Sequence, residues 1–153
     1  MPDLLNVSQT NALLRQLIPL YESIGLAVER MDDVLECSVP LSPHNRNHLG
    51  TMHAGIQWSA AETLGGLLYV AHQKTLGACK IVVSEVNIKF LKPATSRIRA
   101  RTRFSLDQVL ALKTLLDSEG KVSFDLNIEL LDDADLVVST VIAKYRYRRV
   151  SSA

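Results

Sequence analysis

The chain has 153 residues, of which 47% are hydrophobic and 22% charged, and 17 Lys and Arg residues balance 16 Asp and Glu residues. This length is typical of one domain, so we expect a single domain over residues 1–153. The charge balance argues against partners such as nucleic acids or anionic membranes, whose binders carry a strong basic excess. Cys37 and Cys79 stand apart, without metal-ligand spacing, and predict free thiols in a reducing compartment.

Two further features favour a cytoplasmic protein. Residues 1–6 contain neither the basic region nor the apolar run of a signal peptide. The longest largely apolar stretch, residues 54–71, is interrupted by Gln57 and Glu62, among other polar residues. Burying a carboxylate in lipid costs too much for this stretch to be a membrane span. We therefore expect a cytoplasmic protein without a membrane partner.

The first forty residues predict a short helix followed by a hairpin. Ser8 can cap a helix over about residues 8–18, near whose end Pro19 interrupts the helical pattern. Residues 26–31 and 34–40 predict two paired strands around the turn Asp32-Asp33. A polar loop over residues 40–51 follows, and loops of this kind frequently carry binding side chains.

The longest helix is predicted over about residues 53–73, and it is apolar nearly all round, which indicates burial on most sides. Each glycine inside a helix costs about 1 kcal/mol relative to alanine, so tertiary packing must hold this helix together. Small side chains would let its backbone lie close against a sheet. The small residues are Ala54, Gly55, Ala60, Ala61, Gly65, Gly66 and Ala71.

The rest of the chain is mainly β. Strands are predicted over residues 79–91, 97–105, 122–131 and 137–147, with a short helix over 107–117 that Gly120 ends. An acidic turn over residues 132–135 joins the last two strands. Together with the buried helix, these strands predict an α+β fold in which an antiparallel sheet wraps around a long central helix.

Glu62 is the residue that conflicts with its surroundings. It lies in the middle of the buried helix. An unpaired carboxylate there destabilises the fold by roughly several kcal/mol, or its pKa rises and it takes up a proton. Two interpretations are open from the residue alone. Glu62 is either a structural glutamate, on the solvent face or in a buried pair, or a catalytic carboxylate.

The segment before Glu62 resembles the active-site segment of hotdog-fold thioesterases of the phenylacetyl-CoA type. In that family an Asn-x-x-Gly-Thr-x-His-Gly-Gly loop leads into the central helix, and an acidic residue stands nine positions after the histidine. Here Asn47 stands six positions before His53, and Glu62 nine after it. The matching run is Asn47-His48-Leu49-Gly50-Thr51-Met52-His53-Ala54-Gly55. The resemblance implies a hotdog fold.

The resemblance also covers residues 87–94, which are similar to the strand end and Pro-Ala turn of these folds, and the later strands only in pattern. Two departures bear on the substrate. Ala54 replaces the first glycine of the His-Gly-Gly motif, and Glu62 stands where close relatives often carry aspartate. The second change extends the carboxylate by about one methylene.

Carried over residue by residue, the resemblance implies a thioesterase site. The Gly55 N–H would polarise the thioester carbonyl, helped by the helix dipole. Glu62 would act as the nucleophile or as a general base on water. Asn47 would hold that water or the carboxylate, and His53 would orient the carbonyl or the loop. Three of these residues also have a structural interpretation: Asn47 as a loop brace, His53 as a residue at the start of the helix and Gly55 as a close-packing residue.

Because hotdog sites form between two subunits, the resemblance implies a homodimer, or a dimer of dimers that would be a homotetramer. Ser84 and Glu85 of the partner chain would then complete the substrate pocket. Lys92 would lie near the CoA part of the substrate. The resemblance implies no cofactor beyond the CoA that belongs to the substrate. His48 and His53 lack the spacing of metal ligands, so no metal is expected.

Three functions remain as alternatives. The first is hydrolysis of acyl-CoA or acyl-carrier thioesters. The second is a hotdog module that binds acyl-CoA without catalysis. The third is a hotdog dehydratase, for which His48 and Glu62 have a suitable spacing, but the loop between them lacks the proline typical of those enzymes. Fold alone does not decide among them.

Two basic segments also have alternative interpretations. Arg97, Arg99, Arg101 and Arg103 alternate on one strand face, which is either a solvated face or a surface that meets the phosphates of CoA with Lys89 or Lys92. Residues 144–149 interleave tyrosines with basic residues. On a terminal strand this pattern is ordinary alternation, and the balanced net charge favours that interpretation over a nucleic-acid surface.

Overall fold

The computed structural model describes residues 5–150; the other positions, on which part of the signal-peptide argument depends, lie outside this range. Within it the helices are α1 Val7–Leu17, α2 Pro19–Ser23, α3 Ala54–Leu76 and α4 Leu106–Glu119. The strands are β1 Ala27–Met31, β2 Val34–Val39, β3 Cys79–Phe90, β4 Ile98–Arg103, β5 Lys121–Leu131 and β6 Val137–Arg149.

The strands form one antiparallel sheet in the order β1-β2-β4-β5-β6-β3. The long helix α3 packs against one face of this sheet and contacts strands from β1 to β6. The predicted antiparallel sheet around a long central helix is therefore confirmed. Leu64, Leu67 and Leu68 of α3 are fully buried in the core between helix and sheet.

The start of α1 differs from the prediction. Asn6, and not Ser8, caps the helix: its Oδ1 accepts from the Gln9 N–H at 2.9 Å, and Gln9 Oε1 accepts from the Asn6 N–H at 3.0 Å. This reciprocal arrangement is a capping box, which needs a Gln or Glu three residues after the cap. Ser8 has Asn11 at that distance, so the Ser8 prediction was wrong.

The two edges of the sheet differ in how they are covered. Asn11 of α1 lies over the β1 edge, where Nδ2 donates to the Val28 carbonyl at 3.0 Å and Oδ1 accepts from the Val28 N–H at 2.7 Å. The opposite edge is β3, which pairs only with β6 within residues 5–150. Val86 and Phe90 are 41% and 50% exposed there. Long uncovered edges of this kind are a template for pairing with another strand.

Two tyrosines of β6 hold α3 against the sheet. Tyr145 Oη donates to the Glu62 carbonyl at 2.8 Å, and Tyr147 Oη donates to the Gly65 carbonyl at 2.6 Å. Both rings are buried, and Gly65 leaves the space that the Tyr145 ring fills. Gly65 is therefore one small residue of α3 that the close approach of helix and sheet requires.

Several element bounds extend beyond their predicted ends. The central helix continues to Leu76 instead of residue 73, and α4 begins at Leu106, where a Ser105–Gln108 capping box precedes it. Gly120 ends α4 with a left-handed φ of 69°, as its position predicted.

Strand β3 contains a bulge between Val83 and Glu85, which leaves Ser84 without a partner in the register.

Both cysteines are free thiols in the structure. Cys37 is fully buried, where its Sγ contacts the Ala60 carbonyl at 3.1 Å, and burial raises the pKa of its thiol. Burial also raises the pKa of the half-buried Cys79 thiol.

No helix in the described part of the chain combines the length and the apolar character that crossing a bilayer requires.

Gly65→Ala is expected to lower the free energy of unfolding by about 1–3 kcal/mol, the usual cost of overpacking, because the new Cβ would overlap the Tyr145 ring. The matched control is Gly66→Ala, since a Cβ there meets nothing within 4 Å. Alanine at that helical position should raise stability by up to about 1 kcal/mol. Urea unfolding of both variants tests this, and equal effects would contradict the proposed contact.

Candidate functional site

The amino-terminal end of α3 is built around His53. Its Nδ1 accepts from the Gly55 N–H at 2.9 Å, so the side chain is the helix cap. Its backbone carbonyl accepts from the N–H groups of Ile56 and Gln57 at 3.0 and 3.1 Å. Because Nδ1 is an acceptor here, we assign the ring proton to Nε2, which leaves that N–H available on an exposed side chain.

This cap changes which backbone donor is open. The Gly55 N–H, which was predicted to polarise a carbonyl, is taken by the His53 ring. The Ala54 N–H stands one residue earlier, and the structure records no acceptor for it among residues 5–150. Unpaired N–H groups of a first helical turn carry the positive end of the helix dipole. Ala54 thus presents the free donor, and Gly55 would present a second one if the His53 ring turned away.

A cavity of about 430 Å³ opens beside Ala54, between the loop after β2 and the segment after β3. It brings together Asn47 and Lys92 from the predicted site residues. His53, Gly55 and Glu62 do not line it, and Ser84 and Glu85 lie on the exposed edge strand. The lining residues are Asn47, Leu49, Thr51, Met52, Ala54, Gln57, Phe90, Leu91, Lys92, Pro93 and Ala94.

Asn47 is largely engaged within its own loop. Its Oδ1 accepts from the N–H groups of Leu49 and Thr51 at 2.9 and 3.2 Å, and its Nδ2 donates to Thr51 Oγ1 at 2.9 Å. The bracing interpretation therefore has direct support. The amide nitrogen carries a second hydrogen, so one donor of Asn47 remains available at the cavity wall.

Gln57 is a polar residue at the cavity that sequence reasoning had treated only as an interruption of an apolar run. It is buried, and its Nε2 donates to the Met52 carbonyl at 3.3 Å. Its Oε1 accepts from Ser139 Oγ at 2.6 Å, and Ser139 is fully buried on β6. This pair fixes the cavity wall, because both polar side chains are satisfied by each other and by the loop.

Glu62 lies about two helical turns beyond the N–H groups of Ala54 and Gly55. Seven residues separate it from Gly55, which corresponds to about 700° of rotation and about 10 Å of rise, so both lie on the same helix face. Side chains of a helix lean toward its amino terminus, which directs Glu62 toward the end where the donors lie. Its side chain is half-buried, and it forms no hydrogen bond with Asn47 or His53 in the described chain.

Tyr21 is the partner of the Glu62 carboxylate. Its Oη donates to Glu62 Oε2 at 2.9 Å, and its side chain is only 3% exposed. Burial, with a contribution from the Glu62 charge, raises the pKa of Tyr21, so the phenol keeps its proton at neutral pH. No Lys or Arg within residues 5–150 forms an ion pair with Glu62. The carboxylate is therefore held by a neutral hydroxyl group.

Sequence reasoning missed Tyr21. The two residues are 41 positions apart, and their contact arises only because the fold brings Tyr21 of α2 to Glu62 of α3. The helix α2 has no apolar periodicity that would direct attention to a single tyrosine. Pro19 at its first position was the one local signal, and it indicated an interruption of α1 rather than a new helix.

The predicted partner-chain residues lie on the β3 edge. Ser84 is the bulge residue, and its Oγ donates to the Lys144 carbonyl at 3.4 Å. Glu85 Oε2 accepts from Lys144 Nζ at 3.4 Å, and both side chains are solvent-accessible. Neither residue reaches the cavity of its own chain.

Three of the four alternating arginines are paired with acids. Arg97 Nε donates to Asp133 Oδ1 at 3.2 Å, Arg101 Nε donates to Glu36 Oε2 at 2.6 Å, and Arg99 pairs with Asp135. These pairs favour the structural interpretation over a phosphate surface. Among the described residues, no three His, Cys, Asp or Glu side chains come together as a metal site requires.

Comparisons with known proteins support this description. The family model described as "Putative thioesterase (yiiD_Cterm)" matches residues 7–145. A protein of unknown function from Pseudomonas aeruginosa, described as a probable thioesterase, is 27% identical with a TM-score of 0.86, covering 94% of this chain and 96% of that one. A protein of unknown function from Chlorobaculum tepidum TLS is 25% identical with a TM-score of 0.84, covering 96% and 99%.

A protein from Shewanella oneidensis, described as a "putative thioesterase", shares the fold. It is 23% identical with a TM-score of 0.80, covering 94% of this chain and 97% of that one. The predicted hotdog fold is therefore confirmed. No curated protein is significantly similar to the chain in sequence.

Asn47→Ala is expected to lower the free energy of unfolding by about 1–2 kcal/mol, because two loop N–H groups lose their acceptor. Asn47→Asp is the control, since it keeps an acceptor oxygen at the same place. Urea unfolding should then leave Asn47→Asp close to the wild type. A loss of the same size in both variants would mean that the oxygen does not brace the loop.

Proposed function

Since the chain belongs to the family described as "Putative thioesterase (yiiD_Cterm)", we propose that it hydrolyses the thioester bond of an acyl-CoA, or of the corresponding acyl-carrier thioester. One observation carries the proposal. The Glu62 carboxylate, held by Tyr21, leans toward the amino-terminal end of α3, where the Ala54 N–H is unpaired among the described residues and the Gly55 N–H, on the same helix face as Glu62, is held by His53. A carboxylate and an unpaired N–H donor at one end of a helix are the two groups that attack on a carbonyl requires.

In the proposed reaction the thioester carbonyl lies at the amino-terminal end of α3. The Ala54 N–H donates to the carbonyl oxygen. The Gly55 N–H donates to it as well if the His53 ring rotates away. The helix dipole favours the negative charge that develops on this oxygen. In the general-base route Glu62 takes a proton from water as the water oxygen bonds to the carbonyl carbon. The tetrahedral intermediate then collapses, the C–S bond breaks and the sulfur takes the proton, which releases an acid and a thiol.

Glu62 can instead attack the carbonyl itself. The sulfur then leaves as a thiolate, water hydrolyses the resulting anhydride to regenerate the carboxylate, and the thiolate takes up the proton that this hydrolysis releases. Tyr21 serves both routes, because its hydroxyl fixes one carboxylate oxygen and leaves the other free to react. Asn47 and Lys92 at the cavity would contact the substrate or the attacking water.

We propose that the active form is a homodimer built on β3. Val86 and Phe90 pair with the buried residues Ala143 and Ser139, so they face the helix side of the sheet, yet both are exposed at its edge. A two-fold related copy of β3 would cover them. Pairing about the strand midpoint would place Ser84 and Glu85 of both chains near the axis. Two such dimers would give the homotetramer.

The alternatives differ in what they require of Glu62. A module that only binds acyl-CoA has no use for a carboxylate positioned toward the carbonyl donors. A dehydratase would need a histidine opposite that carboxylate, but His48 is exposed and does not contact Glu62 in the described chain. Hydrolysis is the function that uses both the carboxylate and the donors.

Glu62→Gln should lower kcat by at least about 10²-fold, the usual scale for losing a general base, while the similar size of Gln preserves packing. The control is Glu22→Gln, because Glu22 is exposed on the neighbouring helix α2. The assay follows free thiol and remaining thioester for short, long and aromatic acyl-CoAs. Thioester loss without thiol release would reveal another reaction, and binding without any turnover would leave only the binding module.

Tyr21→Phe should lower kcat about tenfold while KM changes little, because the carboxylate loses the hydrogen bond that holds it. Tyr145→Phe is the matched control, since its hydroxyl donates to the main-chain carbonyl of the same Glu62. That variant should lose stability with little change in kcat. Equal kcat losses in the two variants would show that Tyr21 acts only through the position of the helix.

A further inference from the structure

The face of α3 that carries Glu62 also carries a hydroxyl group between Glu62 and the start of the helix. Ser59 lies four residues after Gly55 and three before Glu62, and residues at these spacings are neighbours on a helix surface. Its side chain is half-buried. The face is open, since a Cβ added at Gly66, one turn beyond Glu62, would meet nothing within 4 Å. A small molecule between the helix start and the Glu62 carboxylate therefore lies over the turn of Ser59.

The hydroxyl group of Ser59 has a defined orientation. Its Oγ donates its one hydrogen to the Gly55 carbonyl at 2.8 Å. A hydroxyl oxygen that donates in this way still accepts hydrogen bonds through its two lone pairs. Within residues 5–150 no protein group donates to this oxygen. Ser59 therefore presents an open acceptor of fixed direction on the face that carries Glu62.

A water molecule that attacks a thioester needs two such acceptors. Its oxygen must direct a lone pair at the carbonyl carbon, so both of its hydrogens have to be held elsewhere. In the general-base route Glu62 takes one of them as a proton. The second hydrogen needs an acceptor about 2.8 Å from the water oxygen. Holding the water in this orientation lowers the entropic part of the barrier.

The other polar groups near the start of α3 are poorly suited to this task. Asn47 Oδ1 already accepts from two N–H groups of its loop, so Asn47 has only a donor left. The indole N–H of Trp58 only donates. His53 uses Nδ1 as an acceptor to cap the helix, and its other ring nitrogen then donates. Tyr21 Oη has a lone pair, but the Tyr21 side chain is only 3% exposed, which limits the access of water.

We propose that Ser59 is the second acceptor: its Oγ holds one hydrogen of the attacking water while Glu62 removes the other. This inference rests on the proposed function and selects the general-base route within it. The water oxygen bonds to the carbonyl carbon as its proton passes to Glu62 Oε1, the oxygen that Tyr21 leaves free. The C–S bond then breaks and sulfur takes that proton, which releases the acid and the thiol. Ser59 keeps its own proton throughout.

Methanol tests this role, because it has a single O–H hydrogen and needs only Glu62 as an acceptor. Its oxygen bonds to the carbonyl carbon, its proton passes through Glu62 to sulfur, and the products are a methyl ester and the thiol. Ser59→Ala should lower kcat for hydrolysis about tenfold, with KM and the rate of methanolysis within about twofold of the wild type. The ratio of methyl ester to acid, measured by mass spectrometry at several methanol concentrations, should rise at least about fivefold.

Three further variants serve as controls. Ser59→Thr keeps the hydroxyl group and should keep the wild-type product ratio. Thr114→Ala removes a hydroxyl that donates to a main-chain carbonyl four residues earlier in α4, as Ser59 does in α3, and should change neither product. Tyr21→Phe should lower both products together, because it acts on Glu62 itself. An unchanged ratio in Ser59→Ala, the same shift in Ser59→Thr, or a shift in Tyr21→Phe instead would overturn the proposal.

The first turnover separates this inference from the proposed function. With enzyme in excess over acyl-CoA, Ser59→Ala should release thiol about tenfold more slowly than the wild type, because water attacks before the C–S bond breaks. Unchanged thiol release followed by slow formation of acid would mean that water acts only after the thiol has left. That result would overturn the inference and leave the hydrolase in place. If the wild type releases neither acid nor thiol from any acyl-CoA, both the proposed function and the role of Ser59 are overturned.

Discussion

The close approach of α3 to β6 is the constraint on which the rest of the structure depends. The hydroxyl groups of Tyr145 and Tyr147 donate to main-chain carbonyls of the helix, and the absence of a side chain at Gly65 makes room for one ring. These contacts fix both the depth and the rotation of α3. They therefore decide which helix face carries Glu62 toward α2, and where the first helical turn meets the cavity.

The candidate site follows from that placement through neutral hydrogen bonds rather than ion pairs. Tyr21 holds the Glu62 carboxylate, His53 caps the start of α3, and Ser139 holds Gln57 at the cavity wall. A lysine or arginine in place of Tyr21 would neutralise the carboxylate and weaken it as a base. A phenol orients the carboxylate and leaves its charge in place, which suits a group that must accept a proton or attack a carbonyl.

The fold and part of the site could be predicted from the sequence because their signals are local. The alternation around Tyr145 and Tyr147, the turn chemistry at Gly120 and the spacing from Asn47 to Glu62 all lie within short segments. The contact of Tyr21 with Glu62 could not be predicted, because it depends on how two distant segments pack. The hydrogen bond from the Gly55 N–H to His53 could not be predicted either, because it depends on the rotamer of the His53 ring. The cap of α1 was also missed, because Gln9 favours Asn6 over Ser8.

The bulge at Ser84 has a consequence for newly made chains. An uncovered strand of regular pleat can pair with many extended peptides, so a long exposed edge favours aggregation. A bulge bends the strand and interrupts the even spacing of its donors and acceptors. Foreign segments of regular pleat then fit β3 poorly, whereas a second copy, related by a two-fold axis, carries the same irregularity at the matching place. In the proposed homodimer, the irregular edge would therefore favour a second copy of β3 over a foreign strand.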